Sequence, residues 1–149
     1  MKYLQSTAEM IELRLIRSVF TINADFSLTE ERVAIGVSIK NNGEFLDDGQ
    51  RAHFVQSLKI GDPTLTPFFL DVEFSVFFAL SPAPLPLERS HYINRVFPQL
   101  VFPYLREYVA ETTRRGGFSP LIINPPLFNE DEETENAPHP QTLPLKFLH

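Results

Sequence analysis

The stretch from Phe97 to Phe128, FPQLVFPYLREYVAETTRRGGFSPLIINPPLF, restricts the possible folds more than any other part of the chain. Its first half carries Phe97, Leu100, Val101, Tyr104, Leu105, Tyr108 and Val109 at helical spacing, covering more than half of the cylinder. Pro103, Arg106, Glu107, Ala110, Glu111 and Arg114 form the remaining polar stripe. A helix lying on one sheet buries a stripe only about 100° wide. The surplus predicts a second partner, most simply another subunit. It nominates Phe97, Leu100, Val101, Tyr104, Leu105 and Tyr108 as oligomer-interface residues. Arg114 and Arg115 complement the negative end of the helix dipole, and Gly116 or Gly117 supplies the left-handed stop. Beyond it, Pro120, Pro125 and Pro126 deny a helix to Leu121, Ile122, Ile123, Leu127 and Phe128. Such a strip is either a loop folded onto its own domain or the wall of a groove for extended apolar chain.

Upstream, the period changes from 3.6 to 2. Met10 to Asn23 reads as a strand with Ile11, Leu13, Leu15 and Val19 on one face. Arg32 to Lys40 alternates cleanly through Val33, Ile35, Val37 and Ile39, and Asn41-Asn42-Gly43 marks a turn. Arg51 to Ile60 gives a third strand ended by Gly61-Asp62-Pro63. Thr66 to Leu80 is the fourth and most apolar, with Phe68, Leu70, Val72, Phe74, Val76, Phe78 and Leu80 on one face. Phe69, Asp71, Glu73, Ser75 and Phe77 occupy the other. Four strands without intervening helices imply an antiparallel sheet. Pro82, Pro84 and Pro86 form a stiff connection to a helix that starts near Leu87 or Glu88, bends before Pro98 and ends at Arg115. The fold class is therefore α+β, one sheet with one long bent helix on a face.

Charge is segregated. The net charge of −6 owes five negatives to Glu130, Asp131, Glu132, Glu133 and Glu135. Without them 14 acidic residues face 13 basic ones. A domain over residues 1–128 is thus near neutral, and residues 129–149 read as a mobile acidic and proline-rich tail. No basic stripe exists to neutralise phosphates, which argues against a nucleic-acid surface. Asp71 and Glu73 interrupt the greasiest stretch, so no membrane span is expected. The start, MKYLQSTAEMIE, lacks the apolar core of a secretory signal, and the chain has no cysteine. The expected compartment is the cytoplasm.

Chemistry has little to stand on. His53, His91, His139 and His149 are scattered without metal-ligand spacing, and neither a phosphate loop nor a nucleophile elbow occurs. No catalytic residue, metal or cofactor is nominated. Asp71 and Glu73 share a strand face as paired carboxylates would, yet a solvated outer sheet face is the better explanation of them.

Pro98, Phe102, Pro103, Tyr104, Arg106, Glu107, Arg115, Gly116, Phe118, Leu121, Pro125 and Phe128 follow a recognisable pattern. The stretch resembles the signature of the SecB family of export chaperones, ungapped over about thirty residues. The resemblance implies a homotetramer in which two sheets sandwich the helices. It also implies an ATP-independent holdase that binds extended apolar segments of unfolded or nascent polypeptides, in protein export or in protection of an antitoxin. Client contact would fall on Phe77, Phe118, Leu121, Ile123, Leu127 and Phe128. Contact with the SecA motor would fall on Phe69, Asp71, Glu73, Glu130, Asp131, Glu132 and Glu133. Three departures stand out. Helical periodicity is missing after Phe128, Ser75-Val76 replace the family's glycine pair, and the end is Lys146, Phe147, Leu148 rather than acidic. They leave SecA or an antitoxin as partner open. A small-molecule-binding or structural oligomer is the alternative, which a closed pocket would favour over an open groove.

Overall fold

The computed structural model describes residues 6–26, 32–125 and 139–144. Four long strands build the sheet: β1 (Thr7–Ile22), β2 (Arg32–Leu46), β3 (Arg51–Gly61) and β4 (Phe68–Ser81). A short β5 (His139–Pro144) joins them, giving the order β1-β4-β3-β2-β5 with every described pairing antiparallel. The α+β class and the four-strand core agree with the alternation in the sequence. The fifth strand was not expected, because HPQTLP has neither period-2 alternation nor aromatic content.

The chain reaches the helix through a turn at Pro86–Glu88, a short α1 (Arg89–His91) and one wide turn at Tyr92–Val96. Then α2 runs from Phe97 to Arg115. The wide turn lies just before Pro98, where a bend was expected. Pro98 sits in the first turn of α2, where a missing N–H costs nothing, while Pro103 is tolerated on the exposed side. Gly117, at φ +90°, supplies the stop. Gly116 serves differently, since a Cβ there would lie 2.6 Å from the Phe20 ring. A larger residue there would push the Phe20 ring aside where the helix end comes down onto β1.

The core fills the space between the sheet's inner face and α2. All seven inward residues of β4 are buried, as the alternation requires. Phe97 lies parallel to Phe78, centroids 4.2 Å apart, with Phe54 at 5.8 Å and Tyr92 at 5.9 Å. Val101, Phe102, Leu105 and Val109 continue this layer, and Phe74 meets Tyr108 edge-on at 5.8 Å.

Two readings of the sequence are corrected. Asn41-Asn42-Gly43 is not a turn, because β2 continues through it to Leu46, paired with β3 from Val37↔Ile60 to Leu46↔Arg51. Asn41 Oδ1 accepts from Gln56 Nε2 at 2.9 Å, and Gly43 packs against Phe54 and Ile93. The hairpin turns instead at Asp47-Asp48-Gly49, all three at positive φ. In β1, Ile11, Leu13, Leu15 and Val19 do not share a buried face. Register shifts between Met10 and Glu12 and between Leu15 and Arg17 move the pattern by one residue twice. Ala8, Met10, Leu13 and Phe20 pack on the core, whereas Ile11, Leu15 and Val19 are exposed.

Candidate functional site

Three surfaces gather the residues nominated above. The first follows the helix. Phe97, Val101 and Leu105 are fully buried against their own sheet, so these three are core and not an interface. Tyr108 is half-buried, its hydroxyl 2.5 Å from Ser18 Oγ. Leu100 and Tyr104 remain exposed on the opposite side of α2. The apolar width therefore divides, with one part for the subunit's own sheet and Leu100 and Tyr104 left for something outside.

The second surface is the loop after α2. Phe118, Leu121 and Ile123 are buried, which corrects their assignment as client-facing side chains. Phe118 packs on Phe68 at 5.2 Å, and its N–H donates to the Thr113 carbonyl at 3.1 Å. Thr113 fastens the rest. Its hydroxyl donates to the Val109 carbonyl at 2.9 Å and accepts the N–H of Leu121, also at 2.9 Å. Alternation turns Ile122 outward, exposed by half. The prolines do keep this strip extended, but an extended strip has two faces, and here one of them seals the core. Leu127 and Phe128 lie outside the described residues, as do Glu130, Asp131, Glu132 and Glu133. Thr113→Val should leave the Leu121 N–H buried without an acceptor, at about 1–3 kcal/mol. The melting temperature is expected to fall by about 3–10 °C in a thermal scan. An unchanged melt would mean that Thr113 does not fasten the loop.

The third surface is the outer face of the sheet. Phe69, Asp71, Glu73 and Phe77 all point there, each partly covered. Phe77 stacks on His53 with centroids 4.6 Å apart, and the Arg51 guanidinium lies 5.9 Å from its ring centre. His53 Nε2 is 2.7 Å from Ser75 Oγ. Asp71 and Glu73 are not a free acidic pair. Arg17 of β1 reaches across, donating to Asp71 Oδ1 at 3.0 Å and to Glu73 Oε2, while Ser57 donates to Glu73 Oε1 at 3.1 Å. Hydrogen bonding to Asp71 raises the Arg17 pKa further above its ordinary value. Next to this cluster Lys40 and Lys59 help to line a basin of about 690 Å³. The face is mixed in charge. Nothing in the spacing of Asp71 and Glu73 foretold this, because Arg17 comes from a strand more than fifty residues away.

The sequence missed the most exposed apolar element. On β1, Ile11, Leu15, Ile16, Val19 and Ile22 are each 43–52% exposed. One edge of β1 pairs with β4, and the other has no partner among the described residues. The signal was present as an apolar strand with two more isoleucines than one face needs. Among the described residues no group of three or more His, Cys, Asp or Glu is placed to hold a metal. No described helix is long and apolar enough to cross a membrane.

Known proteins place this geometry. The profile of the SecB family, described as preprotein translocase subunit SecB, matches residues 18–130. A protein-export protein SecB of Nitrosospira multiformis is 35% identical over 89 residues, which cover 56% of this chain and 54% of that protein. One of Bartonella quintana is 29% identical over 100 residues, covering 64% of this chain and 61% of its own length. The chain thus spans about half the length of the curated relatives it matches. Among solved structures, a Mycobacterium tuberculosis SecB-like chaperone, in complex with a ChAD peptide from the HigA1 antitoxin, superposes with a TM-score of 0.63. The identity there is 20%, and the match covers 78% of this chain and 89% of that one. The fold is shared, and the family match spans most of the sheet and all of α2. This chain belongs to the SecB family.

Proposed function

We propose that this protein is an ATP-independent holdase that binds extended apolar segments of unfolded polypeptides. The observation that carries the reading is family membership together with the amount of apolar side chain left uncovered on β1, α2 and the following loop. Unfolded chain exposes apolar area worth roughly 25 cal/mol per Å². Covering several such segments at once holds a client by avidity, without chemistry. Client contact is assigned to Ile122, which points outward, and to Leu127 and Phe128 beyond it. Leu100 and Tyr104 on α2 and the open edge of β1 are assigned to self-association, building toward a tetramer. The SecB-like chaperone of similar fold was solved with an antitoxin peptide, which supports an antitoxin as one class of client. SecA remains a candidate partner through the outer face. Docking through Asp71 and Glu73 would have to displace Arg17.

Suppression of aggregation tests the reading. A chemically unfolded model protein, diluted into buffer without nucleotide, is expected to scatter much less light when an equimolar assembly is present. Equal scattering with and without the protein would overturn the holdase.

A further inference from the structure

The strand that the sequence did not predict occupies a particular place. β5 adds to β2 in register from Arg32↔Pro144 to Val37↔His139, while pairing of β2 with β3 starts only at Val37. The first five residues of β2 therefore find a ladder partner only in β5 among the described residues. Without β5 that stretch would offer a bare backbone template.

The sequence of β5 suits a stopper. Pro140 and Pro144 are four residues apart, so their backbone nitrogens point to the same side of the strand. Sheets accept proline where the missing N–H would face away from the partner. His139, Gln141 and Leu143 then supply the N–H groups toward β2. The outer side has lost two of its three donors, and a further strand cannot add. One end of the sheet is thus closed by proline while the other, at β1, is left open. A six-residue strand held on one side is marginal by itself.

We propose that His139–Pro144 is an internal stand-in for client on the edge of β2. An extended client segment adds to Arg32–Val37 only when β5 leaves. This rests on the holdase reading and names one of its docking edges together with the device that guards it. The chain's own use of that edge is the ground for it, since what β2 accepts there is an extended backbone, whatever its side chains.

Two variants of the full chain test it. Gln141→Pro with Leu143→Pro removes two inward donors and should release β5. Gly36→Cys with Pro140→Cys should lock it, because facing residues that do not share ladder hydrogen bonds lie about 4.5 Å apart at Cα, within disulfide range. The chain contains no other cysteine, so the bridge is unambiguous. The probe is an unfolded apolar peptide with a fluorescent label, read by anisotropy. The released variant is expected to bind about tenfold more tightly than the natural chain. The oxidised lock should bind at least about tenfold more weakly, and reductant should restore it. Amide exchange at residues 32–37 should speed up in the released variant and slow again when the peptide is added. If natural, released and locked proteins bind alike, the stand-in falls and the holdase stands. If none of them binds the peptide, both readings fall.

Discussion

Replacing Ile11 and Ile16 with glutamate should split the assembly at β1, leaving particles no larger than a dimer of the 17.1 kDa subunit held through α2. Both side chains are half exposed on β1, a 16-residue strand with one unpaired edge. A long apolar edge left in water is a template for indiscriminate pairing, so proteins cover it or pair it. Pairing β1 with β1 of a second copy would bury both isoleucines of each subunit about a twofold axis. At roughly 0.8–1.5 kcal/mol for the exposed half of each Ile removed from water, the four in a dimer contribute enough to decide association. Glutamates would also place four carboxylates together. The dimer should weaken by at least about a thousandfold, which light scattering at micromolar concentration reads directly. Circular dichroism and the melt of the subunit should barely change, because neither residue is core. A particle that keeps its mass would show that β1 is not the interface.

The second large effect concerns the strip after the helix. Leu121→Ala and Ile123→Ala should each cost about 2–5 kcal/mol, because both side chains are buried beneath the loop. Together they approach the whole stability of a domain this size, about 5–15 kcal/mol, and should leave much of the chain unfolded. Ile122→Ser, one residue away, should leave the melt within about a degree or two and lower client affinity. Alternate residues of one short strip would then report opposite quantities. Equal melts for Ile122→Ser and Ile123→Ala would overturn the assignment of faces. Chemical denaturation gives the stabilities and anisotropy the affinities.

Much of the architecture was legible along the chain. Seven alternating apolar residues in β4 can be buried in only one way, and all seven are. The helix, its bend before Pro98 and its glycine stop follow from local rules about proline, glycine and period. The family pattern lies in the same stretch, because packing of α2 on the sheet and the return of the loop depend on contiguous residues. These are short-range constraints, and a sequence states them directly.

What the sequence left open was decided by contacts between distant segments. Two register shifts in β1 choose which of its isoleucines face water, and they arise from pairing with β4. The width of the apolar stripe on α2 predicted a surplus without saying which residues formed it. Packing on the sheet took Phe97, Val101 and Leu105 and left Leu100 and Tyr104. Thr113 turned the proline strip so that Leu121 and Ile123 became core. Arg17, remote in sequence, neutralised the acids of the outer face. HPQTLP carries no strand signal of its own and became one because β2 offered an edge. The sequence by itself determined the four long strands, the helix, their order and the family. Tertiary structure decided which face of each element meets water, because burial depends on the neighbour across the gap as well as on the residue.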